Sequence, residues 1–266
     1  MPATVESNPT RATALTVCNV SKGFGTAAAP IQVLRDFNLQ VGEGEFVSLF
    51  GPNGCGKTTL LHLIAGITEP DAGTIQPRLD GQPRRNAGMV FQNYEKSLMP
   101  WRTCLDNILL PLERARGKSL SQLRAIARDA VAALGIVLPF ERYPYELSGG
   151  QKQLTCIARA MVTHPNLLLL DEPFASLDYQ TRISTQNTLQ EVWLRTQVST
   201  IFISHEIDEA IFLADRVCVL TARPAKIAEI FEVHLPRPRD LSTFSSPEFI
   251  AMRRAILDRF TKEMSP

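Results

Sequence analysis

The chain has 266 residues, 44% of them hydrophobic and 21% charged, enough to bury a sizeable core as one domain or one domain with a subdomain. Lys plus Arg number 28 and Asp plus Glu 27, so no overall basic field draws the protein to nucleic acid or anionic lipid. No segment approaches the roughly 18 consecutive apolar residues of a membrane-spanning helix, and the conspicuous leucine run 167–170 stops at Asp171.

The opening residues, MPATVESNPTRAT, are polar and lack the apolar core of a secretory signal, so 1–14 reads as a loose tail. Five scattered cysteines (Cys18, Cys55, Cys104, Cys156, Cys218) form no C-x-x-C pair, which argues against a disulfide framework or a zinc site and for a reducing compartment. From 15 to 50, short apolar runs such as LTVCNV and EFVSLF alternate with Gly-rich turns, which predicts strands. Between 104 and 162 the pattern turns helical: Leu123, Ile126, Ala127, Ala130, Val131 and Leu134 recur at helical spacing, and Gly135 stands where a C-cap glycine belongs. A second helix follows LSGG and is expected to end near His164, because Pro165 disfavours helix in the residue before it. Beyond it NLLLLD, STIFIS and RVCVLT alternate with helical stretches, the signature of a parallel α/β sheet. SPEFIAMRRAILDRF closes the chain as an amphipathic helix, with Ser246 as N-cap and Pro247 at the first position.

In open α/β sheets ligands sit beyond the carboxyl ends of the strands, so the residues that follow each buried strand carry the chemistry. After FVSLF comes GPNGCGKTT, 51–59. Gly51, Pro52, Asn53, Gly54, Cys55 and Gly56 form a loop whose N–H groups wrap phosphates, Lys57 reaches the β and γ phosphates, and Thr58, followed by Thr59, offers a hydroxyl to Mg²⁺. After GMVF comes Gln92, whose amide oxygen is placed to reach Mg²⁺. After LLLL come Asp171, read as the metal partner, and Glu172, read as the base that orients water on the γ-phosphate. After TIFIS comes His205, able to hydrogen-bond a γ-phosphate. Taken singly, Gln92 also reads as surface polarity, the carboxylate pair as a solvated loop, and His205 as structural, as His62, His164 and His234 do. Together they predict a Mg-dependent nucleoside triphosphatase.

LSGGQ, 147–151, raises a second question, because Ser148, Gly149, Gly150 and Gln151 open another helix with phosphate-binding chemistry. This second cradle lies in the helical segment, away in sequence from the strand ends. A two-fold dimer, each chain's cradle facing the other's γ-phosphate, gives it a use.

GPNGCGKTT, Gln92, LSGGQ, LLLLDEP, SLD at 176–178 and His205 stand in the order and approximate spacing of the ATP-binding cassette ATPases, which the chain resembles from about residue 15 to 234. The resemblance implies a P-loop ATPase core with a mainly parallel sheet, an N-terminal antiparallel β subdomain, an inserted helical subdomain at about 104–162, a cassette domain spanning 15–240 and a helical extension at 241–266. It implies that ATP and Mg²⁺ are bound in a sandwich dimer, that Phe24 stacks on adenine, and that Asp178 speaks across the interface. Phe24 reads equally as an ordinary core residue. The chain departs from the family with Leu154 in QKQLTCIARA, where an arginine is frequent.

QNYEKSLMPWRTCLDNILLPLE, LDYQTR and VHLPRPRD resemble the importer group for nitrate, taurine, aliphatic sulfonates and bicarbonate. That group implies a peripheral subunit on the cytoplasmic face of the membrane. Its partners are transmembrane permease subunits and, indirectly, an extracytoplasmic solute-binding protein; no nucleic acid is involved. A groove bounded by the segment after Gln92, with Leu98, Met99 and Trp101, is expected to accept a short permease helix, although these residues also read as core. Only 61 residues (266 − 205) follow His205, so no separate regulatory domain is expected. An exporter or lipid-transport cassette shares all of this ATP chemistry, and a soluble cassette acting on DNA or ribosomes is the remaining alternative.

Overall fold

The computed structural model describes residues 11–26, 29–77, 87–114 and 117–264. The expected tail, 1–14, falls largely outside them, and the first strand begins at Thr13, within it. The chain forms two compact units, Met1–Arg85 with Ser199–Pro266, and Asn86–Val198.

In the first unit, β1 (Thr13–Thr26), β2 (Ala29–Gly42) and β4 (Ala72–Pro77) form a three-stranded antiparallel sheet in the order β2-β1-β4. This is the predicted antiparallel β subdomain. β1 is buried through Leu15, Val17 and Val20 and β2 through Phe37, Leu39 and Val41, while no residue of β4 is buried, so the sheet alternates only in part. The same unit holds β3 (Phe46–Phe50), flanked in parallel by β7 (Ser199–Ile203) and β8 (Arg216–Leu220), with β9 (Ile227–Glu232) antiparallel on β8. Every residue of β3, β7 and β8 is buried, which explains why these strands read as continuous apolar runs. Their helices are α1 (Lys57–Ala65), α7 (Ile207–Leu213) and α8 (Pro247–Met264). Ser246 Oγ accepts from Phe249 N–H at 3.2 Å, the predicted cap of α8.

The second unit holds the parallel pair β5 (Ala87–Val90) and β6 (Leu167–Asp171). Its helices are α2 (Tyr94–Ser97), α3 (Cys104–Ile108), α4 (Leu120–Leu134), α5 (Gly149–Met161) and α6 (Tyr179–Thr196). Gly135 ends α4 in the left-handed conformation, φ 73°, as predicted. Helix α5 stops at Met161, ahead of Pro165. Within this unit α5 packs on both β5 and α6.

Candidate nucleotide site

In the first unit the chain leaves β3 at Phe50 and turns through the P-loop into α1. A Cβ on Gly51 would stand 2.9 Å from Leu220 Cβ, so only glycine lets the loop start against β8. Gly56, at φ 126°, has Val33 Cγ1 where a Cβ would be, 2.6 Å away. The N-cap of α1 is this glycine, with no side-chain cap, so the first N–H groups of the helix are presented to the loop. Lys57, only 5% exposed, turns its Nζ into the loop, donating to Gly51 O at 2.8 Å and Pro52 O at 2.9 Å. Cys55 N–H donates to the same Pro52 carbonyl at 3.3 Å. Lys57 Nζ and Cys55 N–H thus converge on one internal oxygen, the Pro52 carbonyl. Cys55 is buried, and burial pushes its thiol up despite the neighbouring Lys57 charge, so its reactivity is that of a shielded thiol. All five cysteines are free.

His205 is exposed at the end of β7. Its turn is held by Ser204, whose Oγ donates to Glu209 Oε2 at 2.5 Å and accepts from Glu206 N–H at 2.9 Å. Sequence reasoning passed over Ser204. The far end of the following helix, α7, is capped by Arg239, whose buried guanidinium donates to the carbonyls of Ile211 (2.7 Å), Phe212 (2.9 Å) and Ala214 (2.8 Å). This gives VHLPRPRD a structural role. Phe24 is 47% exposed on β1, with Lys22 Nζ 5.6 Å from its ring centroid, so it is a surface aromatic and not a core residue.

In the second unit β6 delivers Asp171 (2% exposed) and Glu172 (9%) at its carboxyl end. Glu172 adopts φ 46°, a left-handed conformation uncommon outside glycine. Gln92, at the end of β5, donates its amide Nε2–H to Glu172 Oε2 at 2.9 Å. Two residues named separately in the sequence are therefore one hydrogen-bonded pair, in which the amide nitrogen, and not the oxygen expected to meet a cation, is the group engaged.

Ser148 caps α5, accepting from Gln151 N–H at 3.3 Å, while Ser148 N–H donates to Gln151 Oε1 at 3.0 Å; this capping box explains the Gln of LSGGQ. Gly149 opens the helix. Gly150 has a further reason to be glycine: a Cβ would stand 2.6 Å from Thr181 Cγ2 and 3.3 Å from Thr185 Oγ1, so α5 and α6 meet there. Asp178 caps α6, accepting from Thr181 N–H at 3.1 Å, and the bonds from Thr181 hold its carboxyl below the usual range. Leu154 is half-buried on α5.

Phe91 and Asn93, the neighbours of Gln92, line a groove of about 940 Å³ in this unit, shared with Leu110, Pro111, Glu113 and Arg159. Arg159 on α5 donates to Ser97 O at 2.7 Å and Ser97 Oγ at 2.9 Å, which fixes the end of α2 at that groove. Asn107, fully buried, accepts from Met99 N–H (2.8 Å) and donates to the carbonyls of Met99 (3.1 Å), Arg102 (3.0 Å) and Thr103 (3.1 Å). The loop it clamps buries Leu98 and leaves Trp101 72% exposed, so the apolar residues expected together divide between core and surface. Among the described residues no helix is long and apolar enough to cross a membrane.

A glycine-turned loop with an inward lysine after a buried strand, together with a buried Asp-Glu pair ending another, defines a P-loop nucleoside triphosphatase. The chain belongs to the ABC transporter family, whose model matches residues 34–175. The bicarbonate transport ATP-binding protein CmpD of Synechocystis is 38% identical over 263 residues, 97% of this chain and 93% of that protein. The nitrate import ATP-binding protein NrtD of Synechococcus elongatus is 40% identical over 246 residues, 90% of this chain and 88% of that one. Among solved structures, a dimeric ATP-binding cassette in a post-hydrolysis state, bound to ADP and Pi, superposes with a TM-score of 0.70 at 28% identity, covering 84% of this chain and all of that one. The chain is accordingly the ATP-binding and hydrolysing subunit of an ABC transporter.

Proposed function

We propose that this ATPase energises an importer of small anions, of the nitrate, sulfonate or bicarbonate class, from the cytoplasmic face of the membrane. Near full-length similarity to cassettes named for bicarbonate and nitrate supports the solute class. The observation that carries coupling is Gln92. Its amide holds Glu172, and its two chain neighbours line the groove, so a permease helix entering the groove moves the contact at the base.

In this reading ATP sits on the loop 51–59 with Lys57 on its β and γ phosphates, Phe24 under the adenine, and His205 on the γ-phosphate. Thr58, Gln92 and Asp171 provide a hydroxyl, an amide and a carboxylate, the hard oxygen donors that suit Mg²⁺, a cation that takes few protein ligands beside phosphate. Bound there, the metal neutralises phosphate charge. Glu172 orients the attacking water and accepts its proton. Ser148, Gly149, Gly150 and Gln151 serve the nucleotide of a partner cassette, with Asp178 at the interface, so two chains close on two nucleotides and open after hydrolysis. The relative whose dimer holds ADP and Pi supports that arrangement.

The test is reconstitution of the chain with its permease and solute-binding protein in liposomes, reading ATP turnover with nitrate, bicarbonate or taurine outside. Stimulation by one of these anions supports the reading. Turnover that ignores all three, yet responds to a lipid or an inward-facing solute, replaces the importer with another transporter class.

A further inference from the structure

The loop joining β8 to β9 is a tight return, closed by Thr221 N–H to Lys226 O at 2.9 Å and Lys226 N–H to Thr221 Oγ1 at 3.0 Å. Ala225 N–H ties it to Val33 O on β2 at 2.8 Å. Val33 is also the residue against which Gly56 packs. The loop is therefore fixed to the scaffold that bounds the P-loop, and from it Arg223 reaches Gly54. Arg223 Nε–H donates to the Gly54 carbonyl, and Nη2 lies 2.8 Å from where a Gly54 Cβ would stand.

A trans peptide points its C=O and N–H to opposite sides. With Gly54 O turned outward to Arg223, the N–H of the Gly54–Cys55 peptide faces inward, toward Pro52 O at 3.3 Å, the oxygen that also holds Lys57 Nζ. Gly54, at φ 71°, has no side chain to fix that peptide's direction, and glycine peptides reorient at little steric cost. We propose that Arg223 is a positioning residue for the nucleotide: it holds the Gly54–Cys55 peptide with its N–H facing into the phosphate cradle. A charge-assisted bond on the carbonyl also polarises the amide into a better donor. Arg223 acts through the loop, so it serves the diphosphate and the triphosphate alike. The inference rests on the P-loop being the cradle.

The experiment compares Arg223→Ala and Arg223→Lys with the unaltered full chain, all carrying Cys18→Ser to remove the exposed thiol. Titration calorimetry with MgATP and with MgADP gives affinities. Iodoacetamide labelling, read peptide by peptide, gives the opening of the loop at Cys55, with buried Cys218 as the internal control. For Arg223→Ala the expected result is a loss of about tenfold for both nucleotides, the loss of one charge-assisted bond. Cys55 labelling rises several-fold, while Cys218 labelling and the melting temperature stay unchanged. Arg223→Lys recovers most of both losses. Unchanged affinities with unchanged Cys55 labelling overturn the proposal. Loss for ATP alone overturns it in favour of a direct γ-phosphate contact, and faster labelling of Cys218 with a lower melting temperature overturns it in favour of general loosening. Absence of binding to either nucleotide in the unaltered chain would remove the cradle itself, and the proposal with it.

Discussion

Replacing Gly150 by alanine adds one methyl group where α5 meets α6, and the structure states what it would strike: Thr181 Cγ2 at 2.6 Å and Thr185 Oγ1 at 3.3 Å. Forcing an extra methyl into a packed contact costs about 1–3 kcal/mol. Alanine's better helix propensity returns up to about 1 kcal/mol. The net expectation is a loss of about 1–2 kcal/mol, read from urea unfolding of the variant beside the unaltered chain. Thr181→Ser deletes the nearest obstacle, so the double variant should be about as stable as Thr181→Ser alone, with a clear coupling between the two sites. ATP turnover of the same four proteins then separates packing from chemistry. If stability returns in the double variant and turnover does not, the glycine backbone is itself needed at the phosphate, as the proposed cradle requires. A Gly150→Ala protein as stable as the original would refute the packing argument.

Glu172→Gln is expected to retain ATP binding while phosphate release falls by about 10²–10⁴, and brisk hydrolysis would remove Glu172 as the base. Asp106 receives Arg124 Nε and Nη2, each at 2.8 Å, and these bonds hold its carboxyl below the usual range. Because the folded pKa is depressed, the stability from this α3–α4 link is present above the ordinary carboxylate pKa and is lost as pH falls through the lower folded value. Acid titration of unfolding should therefore show a smaller drop below about pH 4 in Asp106→Asn, and an identical profile would count against the pair. Arg239→Met strips the buried donors from the carbonyls of Ile211, Phe212, Ala214 and Leu235. It should cost at least about 2 kcal/mol in denaturant unfolding; a loss under about 0.5 kcal/mol would mean that water replaces the guanidinium.

What the sequence disclosed is what local backbone demands dictate. The P-loop glycines answer a local backbone demand, a positive φ at Gly54 and Gly56, although the side chains that would meet a Cβ at Gly51 and Gly56, Leu220 and Val33, stand far away in sequence. Strands buried on both faces, such as β6 and β7, show as mainly apolar runs, Leu167 to Leu170 and Ile201 to Ile203. The ends of α4 and α5 are announced by Gly135 and Ser148 because caps are local chemistry. What it withheld depends on distant partners. The Gln92–Glu172 bond joins residues 80 apart, and Arg223 meets Gly54 across 169, and no local pattern marks either. Phe24 and Trp101 look in sequence like any core aromatic, and only the fold exposes them. Gly150 carried one visible reason and concealed a second, because the neighbour that excludes a side chain lies on another helix.

That second reason bears on how two nucleotide sites in the proposed dimer would communicate. Thr181 is touched from both sides: its N–H is capped by Asp178, and its methyl group closes on Gly150. Glu172 leads to Asp178 through a compact turn, with Ala175 N–H on Glu172 O at 3.3 Å, Leu177 N–H on Phe174 O at 3.1 Å, and Phe174 fully buried. The base proposed for a chain's own ATP and the cradle proposed for its partner's ATP are thus joined by one short hydrogen-bonded turn inside a single compact unit, anchored by buried Phe174 and Leu177 and exposed at Ala175, Ser176 and Asp178. Such a turn transmits displacement through its two buried anchors, whose close packing leaves little compliance. A shift of Glu172 on loss of the γ-phosphate would reach Ser148 through Asp178 and Thr181, whereas a flexible linker would absorb it. Enlarging the clearance at Thr181 with Thr181→Ser should therefore weaken cooperativity between the two sites more than it weakens binding at either one. Unaltered cooperativity in that variant would place the communication elsewhere.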